Sequence, residues 1–124
     1  CRIAAGSGDK LQLGDLSVQR DWGWAPEYVE AMWCMLQRDA AEDFIIATGE
    51  SHSLEEFTAA VFERLDLDWR AHVVRNEALS RPTDLRRGCG DPAKANRTLG
   101  WTARHGMHDV VRMMVVAEKE GRKA

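Results

Sequence analysis

Residues 19–36 read QRDWGWAPEYVEAMWCML. An arginine stands beside an aspartate, two tryptophans flank a glycine, and the chain then turns helical. Pro26 suits a first helical turn, where its missing N–H would have no partner in any case, and Glu27 follows near the positive end of the helix dipole. From there Tyr28, Val29, Met32, Trp33, Met35 and Leu36 recur at spacings of one, three and four. The spacing predicts a helix over residues 26–38 with an apolar stripe wide enough to lie against a sheet. The Arg20–Asp21 pair just before it is well placed to grip a ligand. The more ordinary reading of such a pair is a surface ion pair ahead of a core helix.

Outward from that stretch, size and composition set limits. A chain of 124 residues is one domain by the usual prior and can bury roughly two-thirds of its unfolded surface. Its net charge of −3 gives no reason to expect a nucleic-acid or membrane-surface partner, although a local arginine cluster can still bind an anion. No apolar run approaches the roughly 20 residues of a membrane span, and no signal-peptide pattern is present. Cys1, Cys34 and Cys89 are odd in number and lack close-paired spacing. They read as reduced thiols of a cytoplasmic protein. The chain starts at Cys with residues that resemble a helix tail, which suggests a piece of a longer protein.

In order, residues 10–13 alternate like a short half-buried strand. Gly14-Asp15 allows a turn, and residues 16–22 return as a second extended segment, so a hairpin is expected. After the helix, residues 43–47 (DFIIA) form a short continuous apolar run, the mark of a strand buried on both faces. Ser53 and Glu56 have the spacing of a capping box, and Leu54, Phe57, Val61 and Leu65 then repeat helically. Residues 69–74 (WRAHVV) alternate like another strand, so 43–74 reads as a strand–helix–strand unit. Residues 75–90 carry Arg75, Arg81, Arg86 and Arg87 around Pro82 and read as a loop. Asp91-Pro92 opens a short helix that Gly100 closes, with Trp101 plugging the core beyond it. A last helix over 108–119 should bury Val111, Met114 and Val115, with Val110 alongside.

Four motifs in register carry a family resemblance: RDWGWAPEYVEAMW, DFIIATGESHSLEEF, RPTD and GDPAKANRTLGW. Together they cover nearly the whole chain, which resembles the C-terminal, substrate-binding part of a GDP-mannose 4,6-dehydratase. Such enzymes are extended short-chain dehydrogenase/reductases. The resemblance implies an α/β fold with a small mixed sheet and about four helices. It also implies the whole enzyme's activity, a lyase reaction from GDP-mannose to GDP-4-keto-6-deoxymannose with NADP as cofactor. A stand-alone binding module derived from such an enzyme, or part of a related reductase or epimerase, are the other readings.

The resemblance places Arg20 and Arg81 on the diphosphate, a role that suits a rigid, permanently charged fork of donors. Asp84 matches a Glu whose carboxylate can bond a ribose hydroxyl; the shorter side chain here could instead orient Arg81. Leu13 matches a region flanking the base, and in isolation is a core-facing leucine. Other candidates are weaker. His105 and His108 have only Asp109 beside them and read as capping or surface residues rather than metal ligands. Ser53, at a helix cap, is occupied by backbone donors. Cys34 reads as core.

Two motifs are missing from the 124 residues. There is no GxGxxG or GxxGxxG turn to cradle a dinucleotide pyrophosphate. Tyr28 has no lysine four residues on, so the family's Tyr-x-x-x-Lys pair is expected upstream, with the NADP site. The chain alone is expected to be non-catalytic, to bind a GDP-sugar weakly and to self-associate through the face its absent half would cover.

Overall fold

A computed structural model describes residues 1–80, 83 and 85–121. Its four short strands pair over long distances in sequence. β1 (Leu11–Leu13) lies parallel to β4 (Val73–Arg75), with Leu11 opposite Val73 and Leu13 opposite Arg75. β2 (Gln19–Arg20) runs antiparallel to β3 (His52–Ser53), with Arg20 opposite His52. The mixed sheet is therefore two small two-stranded pieces, one of each kind.

The expected hairpin between β1 and β2 does not form. The Asp15 carboxylate accepts from the Ser17 N–H at 2.9 Å and from its hydroxyl at 2.7 Å, a local turn that leads the chain away from β1. Leu16 and Val18 then offer their carbonyls to the N–H groups of Glu55 and Leu54, each at 3.0 Å. That bonding delivers Gln19 and Arg20 to β3.

Helices fill the two core clusters. α1 spans Ala25–Leu36, α2 Leu54–Glu63, α3 Ala93–Leu99 and α4 Met107–Gly121. α2 packs on α4 through Ala60, Met107, Val111 and Val115, with Trp22 stacked on Phe57 at 4.4 Å beside them. α2 starts as its sequence dictates: the Ser53 hydroxyl accepts from the Glu56 N–H at 3.1 Å, and the Glu56 carboxylate accepts from the Ser53 N–H at 2.6 Å. The second cluster joins α1 and α3 through Ala31, Ala95 and Trp101, lined by Tyr28, Phe44, Ile46 and Leu99. Gly100 closes α3 at φ +64°, the left-handed position that favours glycine, and sends Trp101 into this core.

Four further expectations are corrected. The apolar stripe of α1 is not buried: Val29, Met32, Trp33 and Leu36 are 58–81% exposed, while Glu27 and Ala31 face inward. α3 and Trp101 approach α1 on its Tyr28–Ala31 side, and no described element covers the stripe. Residues 43–47 belong to no strand, and Ile45 is exposed; a strand requires a partner, and no described residue supplies one. Residues 69–74 split in two. Asp68 accepts from the Arg70 N–H and caps a 3-10 turn over Trp69–Ala71, so the strand begins only at Val73. On α4, Val110, Val111 and Val115 are buried as expected, but Met114 is exposed.

Candidate functional site

The site is built around β2. Gln19 is bonded on both sides of its backbone: its N–H donates to the Arg86 carbonyl at 2.8 Å, and its carbonyl accepts from the Gly88 N–H at 2.9 Å. Residues 85–88 are thus laid alongside β2. Arg20 reaches across this seam, its Nη1 donating to the Leu85 carbonyl at 2.6 Å and to the Gln19 carbonyl at 2.7 Å. Its guanidinium is half-buried and held by main-chain acceptors, which limits its rotamers.

More positive charge gathers at the β1–β2 connection. Asp15 is held below its ordinary range first by the Ser17 hydroxyl and N–H, with the charges of Arg75 and Arg86 adding to the effect. Arg75 ends β4 opposite Leu13, and Arg86 lies beside β2. The loop read from sequence as a run of guanidiniums therefore includes one on a strand, and folds so that two act on the β1–β2 connection.

Leu13, half-buried at the end of β1, accepts from the Asn76 N–H at 2.7 Å through its carbonyl. The next residue, Gly14, meets the backbone of the segment leading to Arg81. A Cβ there would stand 2.9 Å from the Leu79 carbonyl oxygen, so glycine is required for this approach. Arg81 and Asp84 themselves lie outside the described residues.

Asp21 turns away from the role of surface ion pair. One carboxylate oxygen accepts from the Thr48 hydroxyl at 2.7 Å and the Thr48 N–H at 3.0 Å, and the other from the Gly49 N–H at 2.9 Å. Sequence reasoning also missed Glu27. This side chain is 2% exposed, yet it is fully engaged. It accepts from the backbone N–H groups of Arg104 and His105 at 3.2–3.3 Å, from His105 Nδ1 at 2.8 Å and from Arg104 Nε at 3.0 Å. Burial works to raise its pKa, and the bonds from the His105 ring and the two N–H groups outweigh burial, holding it below the usual carboxylate range. Trp101 Nε1 donates to the Glu27 carbonyl at 3.0 Å, completing the joint. His105 is therefore a partner of a buried carboxylate and not a surface cap.

Tyr28, next in α1, presses its hydroxyl onto Gly23, where any Cβ would overlap it. Burial raises the Tyr28 pKa, and the charges of Asp21 and Glu27 add to the rise. Ser53 is occupied by the cap. His52 and His108 approach edge-to-face at 6.0 Å, with Glu50 and Glu56 carboxylates 3.8 and 3.9 Å from His52. Among the described residues no group of three or more His, Cys, Asp or Glu could hold a metal, and no helix is long and apolar enough to cross a membrane. Among the described residues no strand feeds a glycine-rich turn at a helix start.

The same fold forms part of larger solved enzymes. The chain superimposes on UDP-glucose 4-epimerase of Thermotoga maritima, solved with UDP-glucose, with a TM-score of 0.83 at 21% identity, covering 97% of this chain and 37% of that one. RMD of Pseudomonas aeruginosa, complexed with NADPH, gives 0.82 at 20%, over 98% and 39% of the two chains.

Residues 1–114 match the family described as GDP-mannose 4,6 dehydratase, and the chain belongs to that family. It is 42% identical to GDP-mannose 4,6 dehydratase 1 of Arabidopsis thaliana over 119 residues, 96% of this chain and 33% of the relative. Against the human GDP-mannose 4,6 dehydratase it is 38% identical over 136 aligned positions, 96% of this chain and 37% of that protein. The chain thus spans about a third of the length of these relatives.

Proposed function

We propose that this chain is the nucleotide-sugar-binding part of a GDP-mannose 4,6-dehydratase, with Arg20 and Arg81 on the two sides of the GDP diphosphate. The observation that carries the reading is Arg20 itself. Its guanidinium is half-buried and fixed by the Leu85 and Gln19 carbonyls, in a chain of that family. Asp84 is assigned a ribose hydroxyl or the orientation of Arg81, and Leu13 the edge of the base. These assignments rest on the family motifs.

In the whole enzyme, a cytoplasmic lyase in this reading, NADP would supply the hydride chemistry. This chain's residues bind and orient: holding the diphosphate fixes where the hexose falls, so remote binding energy serves positioning at the reacting carbons. No residue of the chain is assigned to bond breaking, and the chain by itself is proposed to be non-catalytic.

A second reading is favoured by the open face of α1. Val29, Met32, Trp33 and Leu36 form one exposed stripe, and Ile45 of the unpaired 43–47 segment is exposed as well. Contiguous exposed apolar patches mark contact surfaces. As an isolated module the chain is proposed to self-associate through them.

GDP titration followed by NMR tests the first reading. Each guanidinium supplies charge-assisted bonds of roughly 1.5–3 kcal/mol against an association cost of roughly 4–15 kcal/mol. Binding is expected to be weak, on the order of millimolar, or about 4 kcal/mol, and to weaken with salt. Arg20→Ala should abolish it with the fold intact, and Arg20→Lys should restore little, because an ammonium cannot reproduce the planar fork. Shifts with mannose alone, or GDP shifts that survive Arg20→Ala, contradict the assignment.

A further inference from the structure

We propose that Asp21 is the positioning residue for Arg20, acting through two loops. The inference rests on Arg20 being the anion-binding group. It begins with the three bonds on the Asp21 carboxylate, from the Thr48 hydroxyl, the Thr48 N–H and the Gly49 N–H at 2.7–3.0 Å. Two successive backbone N–H groups converge on one carboxylate. Gly49 has φ +86°, a conformation that strains other residues. The Thr48 hydroxyl oxygen in turn accepts from the Glu50 N–H at 3.1 Å. Asp21 therefore fixes the turn that joins the 43–47 segment to β3.

That turn holds the next loop. The Ser51 hydroxyl donates to the Gly88 carbonyl at 2.9 Å, and the Cys89 thiol to the Gly49 carbonyl at 3.3 Å. Gly90 lies so close to Ala47 that a Cβ would stand 2.5 Å from the Ala47 Cβ, so the two loops are in direct contact. The 85–90 loop then returns to β2 through Gly88 N–H and the Gln19 carbonyl, and ends on Arg20 through the Leu85 carbonyl. A circuit thus leaves Asp21 through Thr48 and Gly49, crosses at Ser51–Gly88, and closes on the guanidinium of the adjacent residue. Removing the carboxylate leaves two backbone N–H groups facing no acceptor and loosens the loop whose carbonyl aims Arg20. A guanidinium free to rotate loses part of its advantage as a preorganised fork.

Asp21→Asn tests this with little change in shape. Whichever way the amide is turned, an N–H of the new side chain faces N–H donors. The first readout needs no ligand: the heteronuclear NOE of the Arg20 side-chain Nε–H. It is expected to be ordered in the wild-type chain and averaged in Asp21→Asn, while the amide signals of α2 and α4 stay in place. The second is titration with inorganic pyrophosphate, where Kd should rise about fivefold and the salt dependence should flatten. Thr48→Val, which removes one donor from the far end, should shift both readouts the same way by about twofold, and it decides the matter if Asp21→Asn does not fold. An Arg20 side chain that is mobile in the wild type, or equally ordered in both variants, overturns the proposal. If Arg20 order depends on Asp21 but pyrophosphate leaves the wild type unperturbed, positioning stands and the diphosphate reading fails.

Discussion

The two faces of α1 invert the usual expectation of a helix. The side carrying Val29, Met32, Trp33 and Leu36 is open, and the side carrying Glu27 and Ala31 is closed. A carboxylate is among the most buried side chains of the molecule while a tryptophan four residues away from Val29 stands out from it. The difference lies in what each face meets. Arg104 and His105 approach the first turn with backbone N–H groups, and a carboxylate satisfies them better than any apolar side chain, while Trp101 Nε1 donates to the Glu27 backbone carbonyl. The stripe has no described partner. Hydrophobicity indicates that a face can be covered; it does not supply the cover.

The closed face should be the easier one to break. Glu27→Ala removes the acceptor for two backbone N–H groups and the His105 ring, all within a buried joint. Loss of a buried charged partner of this kind should cost about 3 kcal/mol. Urea denaturation is expected to show a lower midpoint at unchanged slope. A loss within 0.5 kcal/mol, of the order of an ordinary surface substitution, would mean that the joint does not hold α1.

The same carboxylate gives the closed face a pH dependence. Its folded pKa is depressed below the ordinary 4.5. The stabilisation is therefore complete above that value and is lost as pH falls through 4.5 toward the folded pKa. The melting temperature should fall across this acid window more steeply in the wild type than in Glu27→Gln, which has no proton to take up. Parallel acid profiles for the two would refute this account of Glu27.

Gly100 delivers Trp101 to the closed face and offers a smaller break. At φ +64°, Gly100→Ala should cost about 1 kcal/mol from left-handed strain, read as a modest drop in melting temperature. On the open face, Trp33→Ser should change stability by no more than about 0.5 kcal/mol while weakening self-association, as measured by sedimentation. A large loss of stability from Trp33→Ser would show that the stripe is covered within the chain.

What the sequence revealed divides along the same line. The Ser53–Glu56 capping box, the Gly100 stop and the Val111–Val115 face were legible because each is written in residues a few positions apart. The family and its mixed α/β fold were legible from four motifs in order. The Glu27 joint was not, since its partners lie 77 and 78 residues away and a glutamate in a first helical turn already has a local explanation in the dipole. Asp21 was hidden for a related reason: beside Arg20 it reads as an ion pair, and only the fold brings Thr48 and Gly49 to it. The 43–47 run has the composition of a strand, but pairing is a property of two segments, and no described residue pairs with this one.

The most direct test of the central claim, that this chain binds the diphosphate of a GDP-sugar and not a dinucleotide, is a paired titration of the 124-residue chain with GDP and with NADPH, followed by amide NMR. GDP is expected to move the signals of Gln19, Arg20 and residues 85–88 with Kd on the order of millimolar, and NADPH to leave the tryptophan and glycine signals in place. Saturable NADPH binding at micromolar concentration, or a GDP response confined to residues remote from β2, would contradict it.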